Sequence, residues 1–242
     1  VSTGLALAAG AAGSTIRGVT IRSFADNGIV LDGAAGTTVQ NCVIQANGNG
    51  LRASGPLAGA SIVGNSFSAN ANYGIHLYGA TGLSVDGNSV QGVNTSSSMG
   101  LFATGTLTGT TVTRNVFSGG LRGALLDGAR SLTFGQIGRG NTLADNISAP
   151  NDPRYSGTGL RAQGDCRGSV VTGNLFTRNN LGLGFVNAQN LVARQNTFTQ
   201  NRVAGIYVEG NNLGSTQTGS VFGTRANKNK ANIVRFRGSR GV

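Results

Sequence analysis

Apolar and polar positions alternate in short runs along the whole chain, as in Ile29-x-Leu31, Ile75-x-Leu77 and Ile206-x-Val208. Alternation with period two marks a strand with one buried face, and no stretch sustains the 3.6-residue period of an amphipathic helix. Each run opens on a Gly–apolar pair: Gly4-Leu5, Gly28-Ile29, Gly50-Leu51, Gly74-Ile75, Gly100-Leu101, Gly123-Ala124, Gly159-Leu160, Gly182-Leu183 and Gly205-Ile206. The spacings are 24, 22, 24, 26, 23, 36, 23 and 23 residues. A period in the twenties predicts a solenoid of nine rungs, each burying its apolar face only against its neighbours.

Two further columns repeat with the same period, most plainly in 157–201. One reads Val19, Cys42, Asn65, Asn88, Asn115, Asn141, Asn174, Asn196, and two residues on the other reads Ile21, Ile44, Phe67, Val90, Phe117, Leu143, Phe176, Phe198. The apolar column predicts side chains stacked inside a coil of parallel strands. The Asn column predicts a bend, where an amide bonds its own turn and the next rung and where Asn tolerates unusual backbone angles.

The pattern Gly-Ile/Leu-x-Leu followed by Asn-x-Phe-x-x-Asn resembles the right-handed parallel β-helix repeat of the pectate-lyase-like superfamily. The resemblance covers nearly the whole chain and implies an all-β fold: a single-stranded right-handed parallel β-helix solenoid of about nine rungs with a period of about 23 residues. Residues 1–242 are expected to form one such domain, lacking one or both caps and cut from a larger protein or stacked end to end on copies of itself. The superfamily includes polysaccharide lyases, glycoside hydrolases, sugar epimerases, phage tailspikes and surface proteins without known catalysis, so the fold alone names no activity. Two insertions, 92–98 and 147–156, precede Gly-Leu strands and are expected to border one outer face.

Charge adds a direction. Residues 1–121 hold four basic and three acidic residues, whereas 122–242 hold fifteen and five, so the second half is strongly basic. Seventeen of the nineteen basic residues are Arg, whose planar fork suits carboxylate, sulfate or phosphate. An anionic polymer is the partner this predicts, held by Arg161 and by the C-terminal Arg225, Lys228, Lys230, Arg235 and Arg237; no nucleic-acid-reading motif accompanies them. Cys42 and Cys166 lie five rungs apart, ~24 Å at ~4.8 Å per rung, and are expected to be free thiols. No apolar run is long enough to span a membrane. Asn94-Thr-Ser and Asn146-Ile-Ser match glycosylation sequons at a frequency that chance explains.

In enzymes of the superfamily the substrate lies on the outer face of the strand carrying the Gly–apolar pair. The outward positions here form one column of Val30, Arg52, His76, Phe102, Leu125, Arg161, Gly184, Tyr207 and another of Asp32, Ser54, Tyr78, Thr104, Asp127, Gln163, Val186, Glu209. Asp32, Asp127 and Glu209 sit four and three rungs apart, ~19 Å and ~14 Å, too far for the paired carboxylates of glycoside hydrolysis. No Asp cluster offers the grouped oxygens a calcium ion needs, so neither metal nor cofactor is expected.

The constellation that remains is Asp32, Arg52, His76 and Tyr78, on three successive rungs. The segment Tyr73-Gly74-Ile75-His76 faintly resembles the Tyr-Gly-x-Asp-Pro-His stretch of alginate epimerases, with Asp and Pro absent and the His shifted. A lyase or epimerase would use Arg52 to neutralise a uronate carboxylate while His76 or Tyr78 moves the C5 proton. The first expectation is a non-catalytic extracellular or cell-surface β-helix with a structural, adhesive or self-assembly role, binding anionic glycans. The alternative is a polysaccharide lyase or uronate epimerase.

Overall fold

The computed structural model describes residues 2–93, 98–147, 157–223 and 229–235. They form three parallel sheets wound as one coil. The first sheet has ten strands, from Thr3–Ala8 to Ala231–Arg235; the second has nine, from Thr15–Arg17 to Thr216–Thr218; the third has nine, from Thr20–Arg22 to Val221–Phe222. Every strand pairs with those one turn before and after it, so the strand offset equals the sequence repeat. The nine predicted rungs are present, and the C-terminal basic stretch adds a tenth strand to the first sheet, paired Ile206↔Ile233.

Inward-facing residues of the three sheets make one continuous core from Ile21 to Val208. The apolar column is buried throughout, and its aromatics stack: Phe176 on Phe198 at 5.0 Å, and Phe198 on Phe222 at 5.3 Å. Stacking like on like is what a coil offers, because each rung presents the same position one strand spacing further along.

The Asn column is a buried ladder. The Asn65 main-chain N–H and Nδ2 both donate to Asn88 Oδ1, at 2.9 and 3.0 Å, and Asn65 Nδ2 also donates to the Val39 carbonyl. The pattern repeats through Asn88, Asn115, Asn141, Asn174 and Asn196. Cys42 closes one end, its main-chain N–H donating to Asn65 Oδ1, and Ser220 Oγ accepts from Asn196 at the other. One part of the expectation is corrected: the left-handed backbone falls on the residue before the ladder Asn at Gly64, Gly87 (φ 65°), Arg114 (φ 55°), Gly173 and Gln195, though not before Asn141. The ladder Asn supplies hydrogen bonds, and its predecessor makes the bend.

A second ladder runs along the next corner through Asn47 and Asn70, then Asn146, Asn179, Asn201 and Asn229. Asn70, Asn179 and Asn201 close Asn-x-Phe-x-x-Asn, Asn47 and Asn146 hold the same place after Ile44 and Leu143, and this structural role is not evident from the motif alone. Asn146 is fully buried there, donating to the Phe117 carbonyl and Asn179 Oδ1, so its sequon is closed to glycosylation in the folded chain. Asn94, the other sequon, lies outside the described residues, as does most of both insertions. Cys42 and Cys166 are free and buried, and burial pushes the Cys166 thiol up to about 12.

The repeated glycine has a steric cause. A Cβ on Gly50 would lie 2.5 Å from the Gly74 carbonyl oxygen and 2.7 Å from Phe67 Cδ1, and Gly100 and Gly182 meet their next-rung carbonyls at 2.5 and 2.3 Å. The glycine position faces inward, as does the apolar residue after it, so the residue before the glycine is turned out. Asn27, Asn49, Tyr73, Met99, Arg122 and Thr158 therefore form a third outward column, in register across the sheet.

Candidate functional site

The two outward columns expected from the sequence are in register: Val30↔Arg52↔His76↔Phe102↔Leu125↔Arg161 and Asp32↔Ser54↔Tyr78↔Thr104↔Asp127↔Gln163. Where they meet the third column, the surface sinks into an open depression of about 570 Å³ lined by Asp26, Asn27, Asn49, Arg52, Asn72, Tyr73 and His76, with Ala25. Of the four residues singled out in the sequence, Arg52 and His76 line it. Tyr78 flanks it, 54 % exposed, with the Arg52 guanidinium carbon 5.9 Å from its ring centre. Asp32 lies outside and accepts a hydrogen bond from Ser54 Oγ at 2.9 Å.

The floor is aromatic. His76 stacks on Phe102 at 5.0 Å and lies 5.2 Å from Tyr73, which is itself 5.0 Å from Phe102. The rim is polar: Asn49 Nδ2 donates to Asn27 Oδ1 at 3.0 Å, and among the described residues the buried Asn49 Oδ1 has no partner. Two tilted rings, Tyr73 and His76, with amide and guanidinium groups beside them, suit a ligand that has an apolar face and a polar perimeter.

His76 is neutral at physiological pH. Burial, and then the Arg52 charge, lower its pKa to about 4. Among the described residues its buried Nε2 has no hydrogen-bond partner. The unfolded histidine binds a proton near its ordinary pKa of about 6.5, whereas the folded one does so only near 4. Between these values the unfolded state holds more protons, so stability falls as pH drops through that window. A His76→Phe variant is expected to show a flatter acid limb in denaturant midpoints taken from pH 7 to pH 4; a limb as steep as the parent's excludes His76 as its source.

The anionic-polymer residues are spread out. Arg161 is half-buried on the outer face of the first sheet, whereas Lys230 and Arg235 are exposed at the last strand, three rungs further on. Arg225, Lys228 and Arg237 lie outside the described residues. Among the described residues, no group of three or more His, Cys, Asp or Glu is gathered to hold a metal ion, and no helix is long and apolar enough to cross a membrane. Sequence reasoning missed Asp26, Asn27, Asn49 and Asn72 as lining residues. The usable signal was the position before each glycine, turned outward because the glycine faces in.

The family model for the right handed beta helix region matches residues 3–146, more than half of the chain, and the chain belongs to that family. No curated protein matches the sequence. Among solved structures, the enzymatically active domain of tailspike protein 2 from bacteriophage CBA120 superimposes with a TM-score of 0.67 at 13 % identity, over 92 % of this chain and 39 % of that one. The Dettilon tailspike protein gives 0.53 at 13 % identity over 94 % and 41 %, and an α-1,3-glucanase from Streptomyces thermodiastaticus gives 0.51 at 15 % over 92 % and 44 %. At such identities the likeness is one of fold, and the chain spans less than half of each of these proteins.

Proposed function

We propose that this β-helix is a non-catalytic, extracellular or surface carbohydrate-binding protein that holds a glycan in the depression beside Tyr73 and His76. The observation that carries the reading is the site's composition: the Tyr73 and His76 rings, His76 backed by Phe102, beside Asn27, Asn49, Asn72 and Arg52. Sugar rings present an axial C–H face to aromatic rings and hydroxyls to amides, so both halves of the site have work. An α-1,3-glucanase of the same fold acts on a polysaccharide, which is consistent with a glycan on this architecture.

The test is a glycan array followed by calorimetry on any hit. Tyr73→Ala is expected to weaken binding about tenfold or more, as loss of an aromatic anchor does, while the thermal midpoint holds. Equal affinity in parent and variant removes this site from the reading, and silence across the array removes the reading. End-to-end association of the polypeptide belongs to the same proposal. Inward-facing Leu5 and Ile233, on the first and last strands, are 40 % and 38 % exposed, and light-scattering mass against concentration tests it.

One observation favours a uronate lyase or epimerase as a second reading. Arg52 beside an exposed Tyr78 pairs a carboxylate anchor with an accessible proton-transfer hydroxyl. Turnover of a polyuronate by the parent but not by Tyr78→Phe would support it; turnover by neither leaves binding as the function.

A further inference from the structure

We infer that the second sheet carries a separate binding site for a small carboxylic acid with an apolar body, in a hollow beside the loop 135–140. The site shares no residue with the depression on the first sheet and stands whether or not that depression holds a glycan. The hollow measures about 310 Å³, at the small end of the range for ligand pockets, and is lined by Thr133, Gln136, Ile137, Val170, Thr172 and Arg194.

The loop exists because one rung leaves the sheet early. Strand Thr133–Phe134 has two residues, where its neighbours Thr111–Thr113 and Val170–Thr172 have three. Phe134 pairs with Val112 on one side and Val171 on the other, so Gly135 falls between Thr113 and Thr172. There the chain turns outward (φ 82°), and the Arg139 N–H closes a turn on the Gln136 carbonyl at 2.9 Å. The loop lies against the next rung's corner: a Cβ on Gly173 would meet the Gln136 carbonyl oxygen at 2.5 Å. It divides this outward column into two flanks, with Thr113 on one and Thr172 on the other.

The first flank holds a carboxylate of the chain itself. Thr113 pairs with Asp86 one rung back, and its Oγ1 donates to Asp86 Oδ1 at 2.7 Å. Arg114 Nε donates to the same oxygen at 2.9 Å, and Arg114 Nη2 donates to Oδ2. From the loop, Arg139 Nη2 reaches Oδ2 at 3.5 Å. One hydroxyl and two guanidinium groups thus grip one carboxylate, and the Arg114 hydrogen bond above all keeps that carboxyl below its usual range.

The second flank has donors and no carboxylate. Thr172 pairs with Arg194 one rung on. Thr172 is 7 % exposed, and among the described residues its buried Oγ1 has no hydrogen-bond partner. Arg194 is exposed and, among the described residues, makes no ion pair. A ligand carboxylate between Arg194 and Thr172 takes the part that Asp86 plays on the other flank. It accepts a charge-assisted hydrogen bond from the guanidinium and one from the hydroxyl, which reaches it by turning about the Cα–Cβ bond. The remaining wall is apolar, made by Val170 and by Ile137, which is 70 % exposed on the loop. An inorganic anion leaves that wall in water, whereas an acid with a short aliphatic body covers it.

The experiment titrates the 242-residue chain, isotope-labelled at its isoleucine methyl groups, with acetate, hexanoate, hexanamide, inorganic phosphate and N-acetyl-leucine, the last a mimic of a peptide terminus. Hexanoate is expected to shift the Ile137 methyl signals and to bind about tenfold more tightly than either acetate or hexanamide. Arg194→Ala should lower hexanoate affinity about tenfold, and Thr172→Val about fivefold. The thermal midpoint of Thr172→Val should hold or rise, because the hydroxyl it removes has no partner among the described residues. Ile137 signals unmoved by hexanoate overturn the site. Equal affinity for hexanoate and hexanamide, or for parent and Arg194→Ala, overturns the carboxylate. Equal affinity for hexanoate and acetate, or tighter binding of phosphate, overturns the apolar body. Tighter binding of N-acetyl-leucine than of hexanoate overturns the free acid in favour of a peptide terminus, and a lower midpoint for Thr172→Val overturns the hydroxyl's part.

Discussion

Asn115→Ala is expected to destabilise the protein by about 4 kcal/mol, a loss large for one side chain. Asn115 is fully buried at the middle of the first ladder. Its Nδ2 donates to the Val85, Thr113 and Asn141 oxygens at 2.9–3.0 Å, and its Oδ1 accepts the Asn88 main-chain N–H and Nδ2, both at 2.9 Å. Truncation leaves these partners buried without replacements, and each such group costs about 1–3 kcal/mol. Asn115→Asp keeps the shape but turns acceptors toward three acceptors, so it should be about as damaging at neutral pH. Denaturant midpoints measure both, with the exposed Ser89→Ala as a control expected within about 0.5 kcal/mol. An Asp variant as stable as the parent would show that the ladder's hydrogen bonds contribute little.

Gly100→Ala carries the second large effect, about 3 kcal/mol, through overpacking. Its Cβ would lie 2.5 Å from the Gly123 carbonyl oxygen and 2.9 Å from Phe117 Cδ1. Neither can move cheaply: the first is backbone of the next rung and the second is a fully buried ring. Gly10→Ala is the matched control, since no atom lies within 4 Å of its Cβ and its backbone is not left-handed. A solenoid couples each rung mainly to its neighbours, so hydrogen exchange in Gly100→Ala should rise first in the rungs containing Tyr73–Thr81, Met99–Thr106 and Arg122–Arg130. Equal thermal midpoints for the two variants would remove the steric account of the glycine column.

The two mutations explain why the fold was readable and the site less so. Gly100, Asn115 and Phe117 recur because one rung's requirement is every rung's requirement, and repetition makes such residues visible without coordinates. The outward residues are under no shared requirement. Arg52, His76 and Phe102 break the repeat, and period alone does not say which exceptions act together.

By itself the sequence determined the coil, its period, the apolar column, the first Asn ladder and the register of two outward columns, because these follow from alternation and stacking at fixed spacing. Only the tertiary structure decided that the glycine faces inward against the next rung's carbonyl, which turns Tyr73 and Asn49 outward beside His76 and Arg52. It also decided that Asp32 stands apart and that Asn146 is locked in a second ladder. These are matters of close approach between residues more than twenty positions apart.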